Sequence, residues 1–210
     1  MHREPQHMKT EDLLRLADDN RRRAEKILEA TNLFGIWRSV GAEAHLVGSL
    51  RMGLLMTHRD IDLHIYSAPL TLQDSFAAMA LLAANPAVTR LECSNLLHTD
   101  EQCVEWHAWY RDNDSALWQI DMIHMPKGSP FDGCFEGIAD AISAALSSES
   151  RETILRLKYE TPDEEKIMGI EYYQAVLEGG VRSMQEFRRW RAAHPMTGIN
   201  LWKPEQGGAA

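Results

Sequence analysis

Val47-Gly-Ser-Leu-Arg-Met-Gly-Leu-Leu-Met-Thr-His-Arg-Asp60-Ile-Asp62-Leu-His-Ile-Tyr66 is the stretch that decides how this 210-residue chain is read. From Asp60 to Tyr66 polar and apolar residues alternate, the period-two pattern of a strand with one wet and one dry face. Asp60 and Asp62 therefore leave the same face, roughly 6.5–7 Å apart along the chain. Like charges at that spacing repel and raise the pKa of one of the pair. A divalent cation relieves that repulsion. Hard carboxylate oxygens suit Mg²⁺ or Mn²⁺, which keep several waters and take substrate phosphate as a further ligand. Ile61, Leu63 and Ile65 fall on the opposite face and anchor the strand in a core.

Upstream, Ala44-His45-Leu46-Val47 is a short strand that runs into Gly48-Ser49. Glycine permits close backbone approach, and free N–H groups at a turn or helix start favour an anion. The Ser49 hydroxyl adds a donor for a phosphate oxygen. A phosphate-cradling turn beside paired carboxylates is what in-line phosphoryl or nucleotidyl transfer requires. Downstream, Asp121 interrupts the apolar strand 116–125, where a lone carboxylate is costly unless its face is open or lined by metal. Two metals need a third acid, which can also help to activate an attacking hydroxyl. Asp121 is the expected third acid and Glu105 its competitor.

Working outward, residues 11–30 carry a helical repeat (Leu13, Ala17, Ala24, Ile27, Leu28), and a second helix is expected over 32–40. The run Arg21-Arg22-Arg23 reads as a solvated face. A helix over 71–84, closed by Asn85-Pro86, is followed by strands at 88–97, 102–111 and 116–125, whose short links imply antiparallel neighbours. From Gly128 the pattern is helical. Capping boxes at Thr161-Pro162-Asp163-Glu164 and Ser183-Met184-Gln185-Glu186 predict two helix starts, and Gly179-Gly180 separates those helices. The expected division is 1–40 N-terminal helices, 41–127 catalytic domain, 128–195 helical acceptor-binding portion and 196–210 flexible tail. The fold class is α+β: a mixed sheet flanked by helices.

Gly-Ser, ten residues, Asp-hydrophobic-Asp and a later strand aspartate together resemble the nucleotidyltransferase superfamily that includes polymerase beta, aminoglycoside nucleotidyltransferases and minimal bacterial nucleotidyltransferases. Gly53 also matches a glycine common in the minimal members. Leu50 and Arg59 stand where those members place a basic and a small residue, and basic Arg51 comes one place later. The resemblance implies that Asp60, Asp62 and Asp121 hold two Mg²⁺ (or Mn²⁺) ions and carry catalysis. It implies that Gly48 and Ser49 contact the nucleoside triphosphate, and Arg51, one place off the family's basic position, is a further candidate for that contact. Lys127 and Lys158 are read as surface lysines, with Lys158 a weaker candidate for the triphosphate from the helical half. His64 shares the face of the two aspartates, where it can border the site, and is read as a surface or hydrogen-bonded histidine in preference to a ligand. His45, His98, His107 and His124 lack metal-ligand spacing and are read as structural. Trp106, Trp109, Trp118, Tyr172 and Tyr173 are read as core.

The composition, 44% hydrophobic and 25% charged, is that of an ordinary globular protein. No apolar run approaches the roughly 20 residues needed to span a bilayer, and Met1 to Lys9 is polar without a secretory apolar segment. Cys93, Cys103 and Cys134 form no CxxC pair and read as reduced packing thiols, so the expected location is cytoplasmic. The net charge of −9 disfavours a long nucleic-acid partner, which is normally held by a basic stripe. The expected activity is transfer of a nucleoside monophosphate to a hydroxyl of a small, aminoglycoside-like or lincosamide-like acceptor. The rivals are transfer to a protein or RNA end, and a non-catalytic module that keeps the fold.

Overall fold

A computed structural model describes residues 8–205. The polar stretch before Met8 and the last five residues of the tail lie outside the described residues. Helix α1 (Thr10–Thr31) presents Leu13, Ala17, Asn20, Ala24 and Ile27 as one buried stripe, at alternating steps of four and three. It stops at Asn32, which takes the left-handed conformation (φ 48°) that asparagine tolerates and returns its N–H to the Glu29 carbonyl. The same residue starts α2 (Leu33–Ser39).

The sheet comprises β1 (Glu43–Val47), β2 (Asp60–Ser67), β3 (Val88–Asn95), β4 (Val104–Arg111) and β5 (Leu117–Pro126), in the order β1-β2-β5-β4-β3. The short helix α3 (Gly48–Arg51) links β1 to the loop before β2, and α4 (Leu72–Ala83) follows β2. The expected antiparallel links hold for β3–β4 and β4–β5, while β2 and β5 pair in parallel. The sheet is thus mixed, and the chain between its two central strands must cross over through α4 and the outer hairpin.

On one face Ile61, Leu63, Ile65, Trp118, Ile120 and Met122 are fully enclosed, together with Trp106 and Ala108, under α1, α2 and α4. Each large aliphatic side chain buried there contributes roughly 1.5–3 kcal/mol. His124 also faces this side and is fully buried. Its ring lies between Ser67 Oγ (2.7 Å) and Ser75 Oγ (3.1 Å), and Trp106 Nε1 donates to the same Ser75 oxygen (2.9 Å). Burial pushes its pKa down to about 4, so it stays a neutral, hydrogen-bonded core residue. The opposite face carries Asp60, Asp62, Asp121, Gln119, His107 and Glu105.

A second core is built by α5 (Cys134–Ala145), α6 (Ser148–Glu160), α7 (Gly169–Leu177) and α8 (Met184–Ala193). Leu13 and Ala17 of α1 join it, as do Met52, Leu54 and Met56 of the loop after α3. Helix α1 therefore spans both cores, its first half on the helices and its second half on the sheet. The expected helix start at Thr161 is corrected. Thr161 ends α6, donates to the Leu157 carbonyl (2.8 Å) and accepts from the Tyr172 hydroxyl (2.8 Å). Those bonds hold its side chain away from a capping role, and 162–168 is irregular. The start at Ser183 is as expected, with the Ser183 hydroxyl accepting from the Glu186 N–H. Of the three free cysteines only Cys103 is buried; Cys93 is exposed, which corrects its reading as a packing residue. Among the described residues no helix is long and apolar enough to cross a membrane.

Candidate active site

Because the side-chain period of a strand is two, the parallel register that sets Asp62 against Asp121 puts both carboxylates on one face. Asp60 lies opposite Gln119 on that same face. Adjacent strands are about 4.8 Å apart, so three acids distant in sequence share one small area of sheet. All three line a single cleft of about 830 Å³. Its floor is β2 and β5. Gly48 and Ser49 form one rim, α5 contributes Phe135, Ile138 and Ile142, and Lys158, Tyr172 and Tyr173 come from α6 and α7.

Gly48 is packed so tightly on Asp62 that only glycine fits. Its φ is +64°, and a Cβ there would collide with Asp62 Oδ2 and stand 2.6 Å from Asp62 Cγ. The Ser49 N–H hydrogen-bonds to the Asp62 carboxylate. The bend after β1 thus grips Asp62 by shape and by a donor at once.

The electrostatics follow from this crowding. Burial, then the charges of Asp121 and Asp60, raises the Asp62 pKa to about 7, against smaller opposing effects from Lys158 and the Ser49 N–H. Although part of Asp62 is open to the cleft, protein encloses its carboxyl. Asp60 is raised by the same causes, burial first and Asp121 second. Lys158 answers from the far wall. Only 8% exposed, it donates from Nζ to the Leu54 carbonyl (2.9 Å), with the Tyr173 hydroxyl at 3.5 Å. Burial lowers its pKa to about 8, and Asp62 and Asp60 oppose that shift. The expectation of a surface lysine is corrected: Lys158 sits on the apolar stripe of α6 with Ile154 and Leu155.

The remaining candidates are placed as follows. His64, on the Asp60/Asp62 face, is buried with Nδ1 lacking a hydrogen-bond partner among the described residues; Phe135 meets its ring edge-on at 4.7 Å. Burial lowers its pKa to about 4. Arg51 does not line the cleft. It forks onto Asp140 Oδ1 (2.7 and 3.1 Å) and the Leu46 carbonyl (3.0 Å), so a triphosphate contact from it would require those bonds to break. Glu105 does not line the cleft either; among the described residues its ion-pair partner is His107 (3.3 Å). Lys127 is an exposed residue paired with Glu43 (3.3 Å). Tyr172 and Tyr173, read from sequence as core, are buried and also line the cleft. The tail, expected as a loose arm, has irregular backbone, but residues 198–200 line the cleft and Trp202 packs on the helical core.

Among the described residues no three Asp, Glu, His or Cys side chains form a ready metal cage. The donors present nevertheless fit a hard divalent cation. Asp60 and Asp62 supply two carboxylates, the number Mg²⁺ commonly takes when substrate phosphate and water complete its shell. Burial first, and then the two neighbouring carboxylates, raise the pKa of Asp62, and a bound cation would offset both.

No protein-family model matches the chain, and no curated protein matches it. Solved structures do. The Cid1 poly(U) polymerase with MgGTP bound aligns at a TM-score of 0.56 and 14% identity, over 80% of this chain and 54% of that one. A cytoplasmic RNA terminal U-transferase aligns at 0.52 and 14% identity, over 80% and 51%. Cid1 in complex with its short product ApU aligns at 0.52 and 13% identity, over 80% and 53%. The likeness is one of fold, a nucleotidyltransferase-type mixed sheet flanked by helices, and the chain spans about half the length of these neighbours.

Proposed function

We propose that the chain is a metal-dependent nucleotidyltransferase that moves a nucleoside monophosphate from a nucleoside triphosphate to an acceptor hydroxyl. The observation that carries the reading is the register of β2 on β5, which aligns Asp62 with Asp121 beside Asp60 at the Gly48-Ser49 bend. In the reaction the acceptor oxygen bonds to the α-phosphorus, the bond from that phosphorus to the bridging oxygen breaks, and pyrophosphate leaves. Divalent cations held by Asp60 and Asp62, with Asp121 as third ligand, would neutralise charge on the phosphoryl oxygens. Asp121 takes the hydroxyl proton. Ser49 donates to a phosphate oxygen, and Lys158 faces the triphosphate from the helical wall. Chemistry of this kind is mostly positioning and electrostatics.

For the acceptor, the net charge of −9 favours a small molecule over a long nucleic acid. An RNA end is the second reading, favoured by the terminal uridylyl transferase activity of the fold's neighbours. The test is pyrophosphate release from each of the four ribonucleoside triphosphates with Mg²⁺, offered an aminoglycoside panel or a short RNA oligonucleotide. Asp60→Asn and Asp62→Asn should each abolish release while the fold is kept. Full turnover in either variant would end the proposal. Triphosphate binding that needs no Mg²⁺ and leads to no release would mark a binding module instead.

A further inference from the structure

Resting on that reading, we infer that His107 is a positioning residue for the third acid: it clamps one oxygen of Asp121 and leaves the other for the cation and the acceptor hydroxyl. His107 and Asp121 are register partners across the antiparallel β4–β5 pair. His107 Nδ1 lies 2.5 Å from Asp121 Oδ1, and since a carboxylate only accepts, the ring nitrogen carries the hydrogen and donates. Gln119 Nε2 donates to the same oxygen at 2.8 Å. Both protein donors thus converge on Oδ1. Among the described residues none is recorded on Oδ2, although Asp121 lines the cleft.

A third element completes the clamp. Glu105, two residues before His107 on the same face of β4, places Oε1 3.3 Å from His107 Nε2. The order carboxylate–imidazole–carboxylate is one in which outer partners orient a metal-binding group, here with Glu105 flanking the far edge of the ring that donates to Asp121. Packing alone does not require it. The His107 side chain is 25% exposed, and the Trp109 ring is 6.2 Å away between ring centres. With two donors on one oxygen, the carboxylate of Asp121 cannot spin about its terminal bond without breaking both, so Oδ2 is presented in one direction.

The experiment compares His107→Phe, which keeps a flat ring and removes the donor, with His107→Asn, which keeps a short N–H donor. Mn²⁺ binding is followed by electron paramagnetic resonance with the α,β-imido analogues of each of the four ribonucleoside triphosphates, alongside turnover. The wild type should bind two Mn²⁺ ions. In His107→Phe the weaker ion should lose roughly 10–100-fold in affinity, the usual cost of removing an outer partner, while the tighter ion stays. Turnover should fall in the same range with KM for the triphosphate unchanged, and His107→Asn should recover most of both. His107→Phe binding both ions as the wild type does would overturn the inference. So would a folded His107→Asn as impaired as the Phe variant. Should the Phe variant not fold, Gln119→Leu replaces it, with a smaller loss of the weaker ion expected and an unchanged ion overturning the clamp. A wild type that binds no Mn²⁺ with any of the four analogues overturns the nucleotidyltransferase reading as well, and is distinguishable because it is seen before any variant is made.

Discussion

Gly48→Ala is the substitution whose consequence can be worked most directly. Placing alanine at φ +64° costs roughly 1–2 kcal/mol in any setting. At Gly48 the new methyl also meets Asp62, at 2.6 Å from Cγ and 2.9 Å from Cβ. Rotating the carboxyl relieves the first contact but not the second, because Cβ moves only with the strand. That overpacking adds roughly 1–3 kcal/mol, for a loss of roughly 2–5 kcal/mol in total. Gly53 supplies the control. Its φ is +67°, and a Cβ there meets nothing within 4 Å, so Gly53→Ala carries the backbone cost alone. In a chain of this size 1 kcal/mol moves Tm by about 2–4 °C, so Gly48→Ala should melt about 2–12 °C below Gly53→Ala. In an Asp62→Ala background the gap should shrink, since Cγ and Oδ2 are gone. Equal melting of the two glycine variants would refute the claim that the bend is seated on Asp62.

Lys158→Met should cost roughly 1–3 kcal/mol by leaving the buried Leu54 carbonyl without its donor, and should weaken triphosphate binding in calorimetric titration. Removing this charge also removes a partner that holds the Asp60 and Asp62 pKa values down, so both should rise further. Mn²⁺ affinity should fall by up to about tenfold per pH unit from pH 7 toward pH 4, because the cation must displace the proton on Asp62. Metal-free stability should follow the same groups. Asp62 titrates higher folded than unfolded, so its contribution is fully present below about pH 4 and is lost as pH rises to 7. Lys158 is depressed to about 8, so the folded protein binds fewer protons between pH 8 and 10.5, and stability from this group rises across that window. A denaturant series should therefore show this site's support weakest near pH 7–8. Asn20→Leu should cost roughly 1–3 kcal/mol, since Asn20 Nδ2 donates to the Met56 carbonyl at 2.7 Å from within the core; an unchanged melting curve would mean that the loop before β2 is held by its apolar packing alone.

Strand and helix positions were legible because their signals are local. The alternation from Asp60 to Tyr66, the 3–4 repeat of α1 and the Ser183 cap each depend on neighbours within a turn or two. What escaped depended on contacts far along the chain. Thr161 has a capping sequence, but its hydroxyl is claimed by Leu157 and Tyr172. Lys158 did carry a signal, its place three and four residues after Leu155 and Ile154 on a buried stripe. The expectation that lysine faces water outweighed it. His107 has no ligand spacing within its own segment, so the local sequence gives it no role. The tight turn between Arg111 and Leu117 fixes the register that sets it opposite Asp121, and period two sets Gln119 beside it. The cleft walls were the least legible part, since α5, α7 and residues 198–200 converge only in three dimensions.

The perturbed groups of the cleft reduce to one imbalance. Asp60 and Asp62 are raised, with Asp121 contributing to both, and the opposing effect of Lys158, one cation facing three carboxylates, is smaller than burial and the neighbouring acids. A protein that kept this face for stability alone would gain by replacing Asp62 with a neutral residue, because a buried acid crowded by two others is costly unless a cation accompanies it. Asp62→Asn should accordingly raise the melting temperature of the metal-free protein while removing turnover. Stability and activity moving in opposite directions is the behaviour of a site arranged for a bound charge. A metal-free protein destabilised by Asp62→Asn would mean instead that the carboxylate serves the fold, through the Ser49 N–H that hydrogen-bonds to it.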